Sequence, residues 1–315
     1  YDSLGMYIQD TIRLFDGNLD VIPGARYTFC AANANKVKDP VSGRQTSVNG
    51  DWNAVVGSMR VLHPLSLDRR HVLFAGASQG FRAPNLSDLT RLDIARSGEL
   101  ETPVSDLEPE MYLAYEAGVK SRFEKLTAAL TYYYTVIDSM IVRTPTGRII
   151  DGNTEVTKKN SGNGYIQGLE LSGSYALART LSARFSAFWM DGKVDAYPTS
   201  SLEKTRDYIT RLAPPAADLG LRWQTENSRY WAEVVCDVAD KADKLSAADK
   251  LDTQRIPPGG TPAYAVYAIR AGLRAGGALA MTIAVENILD EDYRIHGSGV
   301  NEPGRNLVLT ANYVF

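Results

Sequence analysis

The final residues alternate without a break. Leu307, Leu309, Ala311, Tyr313 and Phe315 fall on one side of an extended chain, and Asn306, Val308, Thr310 and Asn312 on the other. A period of two commits the segment to a strand, because successive side chains point to opposite faces. One face is apolar and closes on an aromatic carboxyl terminus; the other is mostly small or polar. A strand of this kind suits an outer-membrane β-barrel, where one face meets lipid and the other a wet lumen.

The same pattern recurs upstream. Leu126, Ala128, Leu130, Tyr132, Tyr134 and Val136 oppose Thr127, Ala129, Thr131, Tyr133 and Thr135. Leu181, Ala183, Phe185, Ala187 and Trp189 oppose Ser182, Arg184 and Ser186, while Tyr267, Ile269, Ala271 and Leu273 oppose Ala268, Arg270, Gly272 and Arg274. Leu279, Met281, Ile283 and Val285 likewise oppose Ala280, Thr282, Ala284 and Glu286. Read back to Leu4, Met6 and Ile8, the alternation gives roughly thirteen segments, each long enough to cross a bilayer at a tilt. No apolar run approaches the roughly 18 residues of a membrane helix, although 44% of the chain is hydrophobic. The 17 tyrosines, against 8 Phe and 4 Trp, suit aromatic girdles at the membrane interfaces.

The connections alternate between short and long in step with strand direction. The short set includes Asp16 to Asn18, Arg122 to Lys125, Ala178 to Thr180, Thr225 to Ser228 and Ala275 to Gly277. The long set includes Asn33 to Gly50, Arg82 to Glu108, Pro145 to Asn163, Val194 to Asp207, Ala239 to Pro262 and Leu289 to Pro303. Barrels of the outer membrane have tight periplasmic turns and long outward loops, so the last strand descends and Phe315 lies at the periplasmic rim. A soluble β-sandwich, with comparable loops at both ends, fits less well. The expectation is an all-β chain: an antiparallel transmembrane β-barrel over residues 1–315.

Composition narrows the function. The net charge is −3 and no basic run carries interleaved aromatics, so the electrostatic footprint of a nucleic-acid binder is absent. Cys30 is expected to point inward and Cys236 outward, both as free thiols. The histidines are His63, His71 and His296, and no GxSxG, HExxH or CxxC pattern occurs, so neither nucleophilic nor zinc chemistry is indicated. His296 is expected to contact ligand or solvent in an outward loop. Residues 237–252 mix Asp and Lys without the Gly and terminal Glu of a calcium loop, and read as a solvated surface segment rather than a metal site.

Several motifs, in order, resemble the TonB-dependent outer-membrane receptors. They are Ala77-Ser78-Gln79-Gly80-Phe81-Arg82-Ala83-Pro84-Asn85-Leu86, Leu107-Glu108-Pro109-Glu110 leading into Tyr115-Glu116-Ala117-Gly118-Val119-Lys120, and Gly168-Leu169-Glu170-Leu171. The series closes with Val285-Glu286-Asn287-Ile288-Leu289-Asp290-Glu291-Asp292-Tyr293 and Glu302-Pro303-Gly304-Arg305-Asn306. The resemblance covers most of the chain, and implies roughly 13 strands of a 22-stranded barrel whose plug domain and first strands lie upstream or have been lost. It also implies uptake of a scarce small-molecule ligand, such as a siderophore or cobalamin, with energy from the TonB complex and no cofactor. The other partners it implies are the plug, outer-membrane lipid and the barrel-assembly machinery, which would read Tyr313 and Phe315 on the final strand.

Residue roles follow in the same spirit. Pro84 cannot donate to a ladder and biases Ala83 towards extended geometry, so it ends a strand at a loop mouth. Arg82, Tyr165, Tyr197, Tyr293, Arg294 and His296 are the ligand candidates at loops or rim. Glu116 and Glu170 are expected to face the lumen on strands next but one to each other, about 10 Å apart at matched height. In the family such acids pair with plug arginines; the alternative is that they pair within the wall, with Lys120, Arg184 or Arg270, or are hydrated. Some haem-importing members carry a His between the Phe-Arg-Ala-Pro motif and a following Asn-Pro-Asn-Leu-like box, and residues 82–108 contain none. Two other functions remain open: a passive diffusion channel and an adhesin-like barrel.

Overall fold

The structure is a computed structural model that describes residues 1–38, 43–90, 94–95, 99–198, 201–275 and 277–314. Phe315 therefore lies outside the described residues. Among the described residues, seventeen hydrogen-bonded segments follow one another. Two of them, Ile94–Ala95 and Glu99–Glu101, belong to one loop, and two staves are each interrupted once, which leaves the thirteen crossings that the alternation predicts.

The first five staves are β1 (Asp2–Gln9, resuming as Ile12–Leu14), β2 (Leu19–Lys38), β3 (Gln45–Pro64), β4 (His71–Arg82) and β5 (Glu110–Arg122). Next come β6 (Leu126–Ile150), β7 (Asn153–Ala178), β8 (Leu181–Ala196) and β9 (Thr205–Tyr208, resuming as Ala216–Gln224). The last four are β10 (Tyr230–Ala239), β11 (Tyr264–Ala275), β12 (Leu279–Glu286) and β13 (Asn306–Tyr313). Each pairs antiparallel with the next. The outer members β1 and β13 are exposed along their whole length.

Two expected loops are largely strand. β2 and β3 run for 20 residues each, and β6 and β7 for 25 and 26. They continue well beyond the bilayer as hairpins, the second closing at Asp151 and Gly152, both at positive φ. The polar composition of 145–163 reads as loop, but an antiparallel ladder satisfies the backbone whatever the side chains are. The connection from Arg82 to Glu110 does leave the wall, and holds a short helix, α1 (Leu86–Thr90), and a strand, Glu99–Glu101, parallel to Thr154–Val156 of β7.

The register assigns every side chain to a face. Leu171, Leu130, Ala187 and Ala217 share one outward row. Above it come Leu169, Tyr132 and Trp189, then Gln167, Tyr134 and Asp191, then Tyr165, Val136, Lys193 and Tyr208. The outward wall thus passes from aliphatic to aromatic to charged as it rises. From Leu181 to Trp189 is about 27 Å of strand, or about 20 Å along the barrel axis at a tilt of roughly 40°, close to the apolar band of an outer-membrane barrel. Leu219, Ile283 and Leu309 stay 47–70% exposed on this face, as lipid-facing residues must. No helix among the described residues is long and apolar enough to cross a membrane, which says nothing of strands.

The inward face carries Thr131, Glu170 and Phe188, and then Ser172, Ala129, Ser186, Asp218 and Asp237. Of the two free thiols, Cys30 is buried and Cys236 shares a row with Leu219 and Tyr267, as expected. A buried apolar cluster lies towards the outer end, where Trp52, Leu89, Leu107, Ala83 and Ile141 come together with Cys30 and Ala32.

Neighbouring residues on β13 test the two faces. Leu309→Arg should destabilise the folded barrel by about 2–4 kcal/mol in lipid vesicles, whereas Thr310→Arg, directed into the lumen, should cost under about 1 kcal/mol. Equal denaturant midpoints for the two variants would contradict the assignment.

Candidate functional site

Arg82 is the last residue of β4 and Glu110 the first of β5, and they are direct cross-strand partners. The guanidinium donates from Nε to Glu110 Oε2 at 2.7 Å and from Nη2 to Oε1 at 2.6 Å, the planar fork that suits a carboxylate. Its remaining nitrogen, Nη1, donates to Asp88 Oδ2 at 2.6 Å. Glu110 is almost fully buried, and also accepts from the Ile141 N–H at 2.8 Å and from the Tyr112 hydroxyl. Arg82, expected as a ligand contact, thus has every nitrogen engaged by a carboxylate.

The chain of alternating charge extends further. Lys158 Nζ lies 3.0 Å from Asp88 Oδ1 and 3.7 Å from Glu101, and Arg143 Nε lies 3.0 Å from the same Glu101. Asn85 and Asp88 bond reciprocally through side chain and backbone, which organises the start of α1. Asn160 grips both backbone groups of Glu108, at 2.9 and 2.7 Å, and Trp52 Nε1 donates to the Leu107 carbonyl at 2.7 Å. The described residues of 83–109 are therefore docked on the wall as a cap. Burial alone would raise the Asp88 carboxyl, but donors from Arg82, Asn85 and Lys158 outweigh it and hold its pKa below the ordinary value.

A second folded region gathers the outward loops that flank β9–β13. Ser246 and Asp249 form a capping box at α2 (Ala247–Leu251). The buried Asp249 also accepts from the Arg211 N–H, so part of the segment expected to be solvated is interior. His296 is half-buried, with Nδ1 2.8 Å from the Thr261 hydroxyl and Nε2 enclosed without a partner, rather than turned to ligand or solvent. Burial lowers its pKa. Tyr293 packs on Tyr264 with ring centres 4.8 Å apart, and Arg294 Nε donates to Asn301 at 2.8 Å. Asn287, buried, ties this loop through Glu291 and Pro303, while Asp290 accepts from the Arg305 N–H.

The other candidates are dispersed. Tyr165 points outward, stacked 5.6 Å from Tyr134, with its hydroxyl donating to Asp191 at 3.0 Å. Tyr197 lies half-buried just past β8. Glu116 and Glu170 do face the lumen one stave apart, but they are offset in register. Glu116 opposes Tyr133, which opposes Gly168, so Glu170 sits two residues further along, about 12 Å away. Arg60 on β3 bonds Glu116, a wall partner outside those expected, and Glu170 forms no ion pair among the described residues. Further inward charges join Arg184 to Asp218 and Glu233, and Arg270 to Glu286.

A family model described as "TonB dependent receptor-like, beta-barrel" matches residues 1–288. No curated protein matches the sequence. Among solved structures, the copper transporter OprC aligns over 99% of this chain and 48% of its own, with a TM-score of 0.77 at 18% identity. The FrpB iron transporter from Neisseria meningitidis (F3-3 variant) gives 99%, 45%, 0.74 and 17%. The siderophore receptor PiuA from Acinetobacter baumannii gives 99%, 43%, 0.72 and 14%. This chain thus spans under half the length of each, and at these identities the likeness is one of fold.

Removing Arg82 would leave Glu110 and Asp88 buried with less cationic support. Arg82→Ala should loosen the cap by about 3 kcal/mol, the lower end for a buried pair because Arg82 is itself half exposed. Proteolysis of 83–109 in the folded barrel should rise accordingly; unchanged cleavage would contradict the docking. Since the Asp88 pKa is depressed, its contribution is complete above the ordinary carboxylate range and is lost as pH falls through the lower, folded value. Cleavage by an acid-active protease should therefore increase below about pH 4, and Asp88→Asn should flatten that response.

Proposed function

This chain belongs to the TonB-dependent receptor β-barrel family, and from that membership we propose that it supplies the carboxyl-terminal part of a receptor wall, in an outer-membrane protein that takes up a scarce ligand with energy delivered through TonB. Members of the family sit in the outer membrane, and those with similar solved structures are transporters and receptors rather than enzymes. The observation that carries the proposal is the inner face. Barrels of about 8 strands fill their interiors with side chains, and a wall of thirteen staves is too wide for that. Its inward charges are arranged as partly exposed pairs, such as Arg60 with Glu116 and Arg270 with Glu286. Such a surface suits water or a polar domain inside the lumen, which is where a plug belongs.

The proposed ligand is a metal-bearing small complex such as a siderophore or cobalamin. Structures of the same fold are named as transporters of copper and of iron and as a siderophore receptor. The docked cap and the loop region around Tyr293 and Arg294 would frame its entry, the plug would complete its site, and TonB would act through the plug. Glu170, unpaired in the wall, is the stronger candidate for a plug arginine, with Glu116 available only in competition with Arg60. Tyr313, outward at the end of β13, and Phe315 remain the proposed signal to the barrel-assembly machinery.

Uptake of radioiron-labelled siderophores by cells carrying the whole receptor tests this reading. Uptake should need both the receptor and functional TonB, and Glu170→Lys should lower it several-fold at unchanged receptor level. Uptake that persists without TonB would favour a passive channel, and normal uptake by Glu170→Lys would remove that residue from the plug contact.

A further inference from the structure

The loop joining β12 to β13 closes against the loop after β10 through an imidazole that neither the wall nor the cap uses. Thr261, the partner of His296, is fixed in place: it is buried, and its N–H and carbonyl both bond Ala242, at 3.2 and 2.9 Å. Its hydroxyl meets His296 Nδ1 at 2.8 Å, while Nε2 is enclosed with no hydrogen-bond partner. Gly297 and Gly299, at φ of 80° and 83°, follow the ring closely. A Cβ on them would stand 3.0 Å from Arg211 Cδ and 3.1 Å from Arg255 Cγ, so two arginine side chains lie across the loop. Both reach Asp252, at 3.5 and 3.0 Å.

The charges that act on His296 are Asp249, from α2, and Arg211, from the interruption in β9. Asp249 is not free to pair with an imidazolium. It is buried, and its carboxylate already accepts from the Ser246 N–H at 3.0 Å, the Ser246 hydroxyl at 2.8 Å and the Arg211 N–H at 3.2 Å. Asp252 is shared between the two arginines, and on the loop of His296 itself Asp292 accepts from Asn301, which in turn accepts from Arg294. A neutral ring with its proton on Nδ1, facing the Thr261 oxygen, leaves this site one idle lone pair. A second proton would add a charge beside Arg211 and a buried Nε2–H with no acceptor. Burial outweighs the attraction of Asp249, and Arg211 adds to it, so the ring titrates below its ordinary value.

We propose that His296 is a pH-sensitive latch: neutral, it holds the β12–β13 loop on Thr261, and protonated, it releases that loop from the loop carrying α2. The closed state takes up the proton less readily than the open one, so closure is complete above the ordinary imidazole value and weakens as pH falls through it towards the lower, folded value. Acid would thereby widen the mouth that Tyr293 and Arg294 frame. That consequence rests on the receptor reading above; the latch itself does not.

Spin labels at Leu251→Cys and Val300→Cys, exposed positions on the two loops, report the gap in a background where Cys30 and Cys236 are replaced by Ala. Distances are read by pulsed electron resonance in the whole receptor in lipid vesicles, without ligand or TonB, so failure of the uptake reading leaves this test intact. From about pH 7.5 to about pH 5.5 the ratio of open to closed loops should rise severalfold, up to about tenfold, the range available to one proton with an open-state value of about 6.5. Carboxylates titrate near pH ~4 and stay charged across that interval. His296→Gln and His296→Phe, neutral at every pH, should each abolish the change. His63→Gln with His71→Gln, at the ends of β3 and β4 joined by a short turn, should keep it. Heat-modified gel mobility shows which variants are folded. Identical distance distributions at the two pH values in the parent, or a full response in either folded His296 variant, would overturn the proposal.

Discussion

Hydrogen bonding between neighbouring strands, in a surrounding that offers no water, is the constraint on which everything else here depends. An unpaired peptide group in hydrocarbon costs several kcal/mol, so each crossing segment must find its partner along its whole length. Once Leu219 faces Cys236 and Leu309 faces Ile283, every residue between them has its face assigned. The lipid-facing rows, the aromatic boundary at Trp189 and Tyr132, and the inward pairs of charge are consequences of that register. The same constraint makes β1 and β13 demanding, since their outer edges are open and their side chains exposed.

Above the bilayer a different interaction takes over. The Phe-Arg-Ala-Pro segment and the Leu-Glu-Pro-Glu segment are distant in sequence, but they are two halves of one clamp, Arg82 on Glu110, with Asp88 as its third arm. Leu107 and Leu89 bury the apolar side of the same cap, and Lys158 and Arg143 tie it to the long hairpin. The motif beginning at Val285 works likewise: Glu286 holds Arg270, and Asn287 and Asp290 brace the last loop. The residues that mark the family in this chain are thus mainly those that give the outer rim its shape.

The faces of β6, β8, β11 and β12 were legible because period-two patterning is a local signal that needs no partner to be read. So was the alternation of short turns with long connections at opposite ends of the wall. The hairpin extensions were not, because the polar residues of 145–163 resemble loop and their pairing is decided by a strand on the other side of the turn. Glu116 was placed on the correct face, yet its partner Arg60 lies two staves away, a relation no spacing reveals. The offset of Glu170 has the same origin, since register between staves depends on turns and bulges such as that between Gly162 and Gly164. His296 looked free because its neighbours in sequence are Gly and Ser; Thr261, which meets it, comes from another loop. The Asn85–Asp88 pair did have a local signal, in the spacing of a residue that accepts from the helix start.

The central claim is that alternate residues of these staves meet lipid and an aqueous lumen. Single cysteines at Ser172, Leu171, Thr282 and Ile283, in a background where Cys30 and Cys236 are replaced by Ala, test it most directly in the folded receptor in membranes. With a water-soluble maleimide small enough to enter the lumen, positions 172 and 282 should label and 171 and 283 should not, while a lipid-soluble spin probe should give the opposite order. Equal labelling at adjacent positions, or the reverse pattern, would contradict the account.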